Sequence, residues 1–74
     1  MLTVYEKDNC QACLFTKRTL SKHGVDYEVK PITDEVLAHA AELGFQQAPI
    51  VVPDGDWSKA WSGSNPTRMK EYTG

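Results

Sequence analysis

Residues 2–13 read LTVYEKDNCQAC, and they decide how the rest of the chain is read. Leu2–Tyr5 is a short run rich in strand formers. The charged segment EKDN (6–9) ends it. Residues 11–23 then contain neither Pro nor Gly and are predicted helical, with Gly24 as the C-terminal stop. Cys10 therefore falls between a strand and a helix, and Cys13 falls one helical turn further on. These are the only two cysteines in the chain.

Within the helix, Ala12, Phe15, Thr19 and His23 form one stripe, and Cys13, Thr16, Leu20 and Gly24 the next. Together they are expected to make one apolar-to-small face. Outward from the helix, VDYEVK (25–30) alternates Val25, Tyr27 and Val29 with charged residues, the pattern of a half-buried strand. Thr33 is a candidate N-cap, with Asp34 and Glu35 favouring the first turn of a second helix. Val36, Leu37, Ala40, Ala41 and Leu43 supply its face up to Gly44. PIVV (49–52) is an apolar strand, PDG (53–55) a turn, and WSKAW (57–61) a returning strand, so 49–61 is predicted to be a hairpin. Gly63 and Ser64 end it. Asn65 is placed to cap a last helix with Pro66 at its first position. The order βαβαββα predicts an α/β domain spanning 1–74, with a four-stranded mixed sheet and three helices on its two faces. The βαβ half is expected to cross over right-handed.

The 74 residues allow one small domain, 41% of them hydrophobic, with a net charge of −2. That charge argues against a nucleic-acid binder built on a basic patch and supplies no polybasic membrane anchor. No targeting segment is visible, and no apolar run approaches the roughly 20 residues of a membrane span. A cytoplasmic location is expected. A cysteine pair there is more often catalytic or metal-binding than structural.

The position of Cys10 favours redox chemistry. Unpaired N–H groups and the positive dipole end at a helix start stabilise an anion, so a thiol there ionises more easily. Lys7 adds positive charge and Asp8 opposes it. Cys13, on the same side but further in, is expected to be more buried. The resulting roles are Cys10 as attacker of a substrate disulfide and Cys13 as resolver of the mixed disulfide. A zinc site would need two more ligands. His23 and His39 are too far apart in sequence for a finger-type pair; His23 suits a helix end and His39 a solvent-facing position. No metal is expected. A structural disulfide closing so short a loop would stabilise little. Pro49, in QAPIVV, is either strand-start punctuation or a cis proline; sequence alone leaves both open.

The segments TVYEKDNCQAC and APIVV resemble the glutaredoxin type of the thioredoxin superfamily, and the resemblance covers nearly the whole chain. It implies a thioredoxin fold, a cis Ala48–Pro49 bond facing Cys10 and Cys13, and a backbone at Ala48 that pairs with an extended substrate. NCQAC, TKR (16–18), LGFQQAPIVV (43–52) and the Trp61-Ser62-Gly63…Pro66 pattern are most similar to the NrdH-redoxins. That resemblance implies a dithiol carrier with no bound cofactor. It would take electrons from NADPH through thioredoxin reductase and pass them to class Ib ribonucleotide reductase, with monomer as the expected state. Lys7, Gln11, Ala12, Ala48, Pro49, Trp61, Ser62 and Gly63 are then the partner-contacting candidates beside Cys10 and Cys13.

Two departures are visible. The family has Val or Met followed by Gln between its cysteines, where this chain has Gln11 and Ala12. Its W-S-G-F-R-P stretch becomes Trp61-Ser62-Gly63-Ser64-Asn65-Pro66, so an aromatic and a cation are missing from those two positions. Two alternatives stay open. One is a glutathione-dependent glutaredoxin, although no Asp follows Gly63 and the next acid is Glu71. The other is a non-catalytic binding module, with Trp57 and Trp61 on a shared strand face as anchors.

Overall fold

In the computed structural model, which describes residues 1–73, the chain forms β1 (Leu2–Glu6), α1 (Gln11–Lys22), β2 (Tyr27–Pro31), α2 (Asp34–Glu42), β3 (Ile50–Pro53), β4 (Trp61–Ser62) and α3 (Pro66–Thr73). The sheet order is β2-β1-β3-β4. β1 runs parallel to β2 and antiparallel to β3, and β3 runs antiparallel to β4. This is the α/β mixed sheet with three helices that the element order predicts.

The period-2 rule divides the core. Val51 points to one side of the central strand β3, and joins Leu2, Val4, Leu20, Trp61 and Met69, the layer of α1 and α3. Ile50 and Val52 point to the other side, and join Ala40 and Ala60 in the layer of α2, with Tyr5, Val36, Phe45 and Trp57 packed against them. β3 is buried along its whole length, which is why IVVP reads as an unbroken apolar run and not as an alternation.

The caps follow the sequence closely. Thr33 Oγ1 accepts from the Val36 N–H at 3.3 Å, and Asn65 Oδ1 accepts from the Arg68 N–H at 3.2 Å, with Pro66 opening α3. Gly24 and Gly44 follow α1 and α2 with positive φ.

Four expectations change. Only the Cys13–Thr16–Leu20 stripe of α1 enters the core; Phe15 is half exposed. On α2 only Ala40 is fully buried, while Leu37 and Leu43 face outward. The strand at 25–30 is not half-buried throughout. β2 is an edge strand; its Tyr27 and the preceding Val25 pack on the core while Val29 lies exposed.

The fourth change is the hairpin. Residues 57–59 form a 3-10 turn, and the returning strand is only Trp61–Ser62. The cause is Asp56, whose carboxylate accepts from both the backbone N–H (3.0 Å) and the hydroxyl of Ser58. Such local bonding diverts the backbone from a ladder. The same two bonds, the hydroxyl's first, hold the Asp56 carboxyl below the usual carboxylate range. Trp57 and Trp61 therefore share no face. Trp57 packs on the α2 side and Trp61 in the α1–α3 layer. His39 is exposed, as expected, yet its ring lies tilted against Trp57 with ring centroids 4.3 Å apart.

Among the described residues no helix is long and apolar enough to cross a membrane, and no group of three or more His, Cys, Asp or Glu could hold a metal ion.

Candidate active site

The site is built at the end of the sheet where β1 stops. Tyr5 pairs with Ile50, so the segment leaving β1 and the Ala48–Pro49 segment entering β3 lie at the same end. Ile50 in turn pairs with Ser62, which brings Gly63 alongside Pro49. Three stretches far apart in sequence, around Cys10, Pro49 and Gly63, are thereby collected.

The chain turns from β1 into α1 through Asn9, whose φ of 56° suits a residue tolerant of the left-handed region. Cys10 is the N-cap of α1, in extended conformation. Its Sγ accepts the Cys13 N–H at 3.1 Å, and its carbonyl accepts the Leu14 N–H at 3.2 Å, the first helical bond. A sulfur thus takes the place usually held by a Ser or Asp oxygen. Cys10 and Cys13 are joined as a disulfide with their Cα atoms 5.2 Å apart. Cys10 is partly exposed; Cys13 is 1% exposed.

A groove of about 760 Å³ opens beside Cys10, lined among others by Lys7, Asp8, Gln11, Leu14 and Lys30. Glu6 also lines it, but its carboxylate is paired with Lys17 at 2.8 Å in a half-buried ion pair. That pairing blunts the repulsion Glu6 would otherwise exert on an anionic sulfur. Lys7 lines a second groove too, of about 360 Å³, with Ile32, Leu37, Phe45 and Ala48. It stands between the cysteine loop and the proline loop. Ala12, partly exposed, continues the first turn of α1.

The Ala48–Pro49 bond is cis, as the resemblance implies. Pro49 is buried, and its carbonyl accepts the Gly63 N–H at 2.8 Å. Gly63 has φ +75°, and a Cβ there would stand 2.5 Å from Gln47 Oε1. Gly63→Ala is expected to destabilise by about 1–2 kcal/mol from the left-handed backbone alone. A thermal melt should show a Tm lower by roughly 4 °C or more.

Trp61 is 3% exposed, so it is a core residue and not a surface anchor. It does not lack aromatic and cationic company. Tyr72 stacks on it with centroids 5.8 Å apart, and the Arg68 guanidinium sits 5.4 Å from the ring centroid. Arg68 Nη2 also donates to the Lys59 carbonyl at 2.7 Å. Arg68 Nε lies 3.4 Å from a Glu71 carboxylate oxygen but in no hydrogen-bonding alignment, so the two are paired by charge alone. The cation absent at Asn65 is thus supplied one turn into α3. Sequence reasoning missed Arg68 and Tyr72 because only the packed helix carries them back to Trp61. The Asn65 cap was the available signal, since it fixes where Arg68 falls.

A family model described as Glutaredoxin matches residues 2–57. The match includes Gln11 and Ala12 and stops short of the Trp61–Pro66 stretch, where the second departure lies. The glutaredoxin-like protein NrdH of Lactococcus lactis subsp. lactis (strain IL1403) is 34% identical over 71 residues, covering 93% of this chain and 94% of that one. The NrdH protein of Escherichia coli (strain K12) is 38% identical over 69 residues, covering 88% and 79%. Among solved structures, the NrdH-redoxin from Escherichia coli, described as having a thioredoxin-like activity profile, superposes with a TM-score of 0.72 at 32% identity, covering 95% of this chain and 91% of that one. A glutaredoxin from Archaeoglobus fulgidus gives 0.67 at 25% identity, covering 96% and 83%.

Proposed function

Since this chain belongs to the glutaredoxin family, in its NrdH-type branch, and is a thiol–disulfide oxidoreductase with a redox-active Cys10–Cys13 pair, we propose that it is a cytoplasmic dithiol carrier working as a monomer. It takes electrons from NADPH by way of thioredoxin reductase and delivers them to class Ib ribonucleotide reductase or another protein disulfide. The observation that carries this reading is the N-cap role of Cys10. Its sulfur receives an N–H at the positive end of α1 and is the more exposed of the pair.

In the reduced form that donor and the helix end favour the Cys10 thiolate. The thiolate attacks one sulfur of a partner disulfide, and the other partner sulfur leaves. Cys13 then displaces the remaining partner sulfur from Cys10, and the dithiol has become a disulfide. Lys7 adds positive charge beside Cys10. Gln11 and Ala12, next to the attacking sulfur, meet the partner's surface. The Ala48 backbone pairs with the partner's extended segment, positioned by Pro49. Trp61, Ser62 and Gly63 act from behind. Trp61 fixes the sheet edge, and the Gly63 N–H holds the Pro49 carbonyl in place.

The choice of reductase over glutathione has two supports. The Escherichia coli relative is described as thioredoxin-like in activity. The first acid after Gly63 is Glu71, and its carboxylate is already paired with Arg68, leaving it poorly placed to receive a glutathione amine. The acceptor is tested with a purified class Ib ribonucleotide reductase supplied with NADPH and thioredoxin reductase. Deoxyribonucleotide formation is expected to depend on added redoxin; no stimulation would rule out that acceptor.

A further inference from the structure

Thr16 is fully buried, and its hydroxyl has no hydrogen-bond partner among the described residues. This is unusual for a helical threonine, whose hydroxyl ordinarily bonds to a carbonyl one turn back. Thr19 on the same helix does so, donating to the Phe15 carbonyl at 2.9 Å. Thr16 forgoes that bond in a place where water cannot replace it.

Thr16 shares the buried stripe of α1 with Cys13, three positions earlier. Residues so spaced are neighbours on a helix surface, with Cβ atoms about 5–6 Å apart. Helical side chains lean toward the N-terminus, which directs Thr16 over the turn that carries Cys13. We propose that the Thr16 hydroxyl is the hydrogen-bond donor that stabilises the Cys13 thiolate during resolution. The inference rests on Cys10 attacking and Cys13 resolving.

The need for such a donor follows from burial. Once a partner is bonded to Cys10, Cys13 is a free thiol in a site that excludes water, and desolvation opposes its ionisation. The Cys13 N–H is already given to Cys10 Sγ. In the resolving step Cys13 Sγ forms a bond to Cys10 Sγ while the bond from Cys10 to the partner sulfur breaks. The partner leaves with the electron pair and ends as a thiol, carrying in net terms the proton that Cys13 lost. Thr16 keeps its own proton throughout. In the disulfide its hydroxyl has no charge to serve, consistent with its being unpartnered there.

The test mixes reduced protein, in excess, with Ellman's reagent in a stopped-flow instrument. The first thionitrobenzoate reports attack by Cys10, and the second, in a concentration-independent phase, reports displacement by Cys13. Thr16→Val, and as a second variant Thr16→Ala, should leave the first phase unchanged and move the pH midpoint of the second up by about one unit, tenfold in thiolate fraction. A more basic thiolate is also the better nucleophile, which offsets about threefold of that. The net expectation is a rate roughly threefold lower at pH 7, equal to wild type or above it on the alkaline plateau. Thr16→Ser should keep the wild-type profile. The oxidised Thr16→Val protein should melt no lower than wild type.

A Thr16→Val or Thr16→Ala profile that superimposes on wild type would overturn the proposal. So would a Thr16→Ser profile shifted as far as that of Thr16→Val. An oxidised Thr16→Val protein that melts lower would show that the hydroxyl has a partner in the disulfide state, and would also overturn it. If the wild type lacks the second phase, or Cys10→Ser retains the first, the assignment of roles to the two cysteines fails, and the role of Thr16 falls with it.

Discussion

Cys13→Ser is expected to hold its partner as a mixed disulfide on Cys10, while Cys10→Ser holds none. The difference follows from where the two sulfurs sit. Cys10 is partly exposed beside an open groove and receives the Cys13 N–H. Cys13 is 1% exposed on the core stripe of α1, too deep to approach the sulfur of a folded partner. Without Cys13 nothing inside the protein displaces the partner, and the complex persists until an outside thiol arrives. Without Cys10 the remaining thiol is buried and has lost the sulfur it was placed to attack. Catalytic turnover of protein disulfides should fall to background in both variants, but only Cys13→Ser should give a reducible adduct by mass spectrometry under denaturing conditions. Adducts on Cys10→Ser instead would reverse the assigned roles.

The sequence is most informative about this site where local chemistry decides the structure. The helix start at Cys10 could be read because a charged loop follows a strand and no Pro or Gly interrupts 11–23. Thr33, Asn65 and Pro66 were legible because a cap depends on neighbours a few residues away. The exposure of β2 could not be read from VDYEVK, since the same alternation fits a central or an edge strand, and only sheet order decides. Leu37 and Leu43 are apolar at helical spacing, yet the small layer of α2 leaves them outside. Trp57 and Trp61 alternate as a strand would, but Asp56 bonds to Ser58 and sends the two rings to opposite sides of the sheet. Arg68 beside Trp61 and the unpartnered hydroxyl of Thr16 depend on packing that no spacing rule encodes.

Electron donor choice has the largest functional consequence, and the proposed choice is tied to the residues after Trp61. The loss of Phe and Arg at positions 64 and 65 suggests a loosened network on sequence grounds. In the fold, Tyr72 and Arg68 place an aromatic and a cation against Trp61, and cation–π pairs of this kind contribute about 0.5–2 kcal/mol. Arg68 is also paired with Glu71, the first acid after Gly63 in the sequence. The region after Trp61 is thus held together by Tyr72 and Arg68. The deciding measurement is a paired coupling assay following NADPH oxidation at 340 nm with a protein disulfide as acceptor. One arm contains thioredoxin reductase, the other glutathione with glutathione reductase. Steady turnover is expected in the first arm and turnover near background in the second. Efficient turnover with glutathione and none with thioredoxin reductase would contradict the proposed choice of donor.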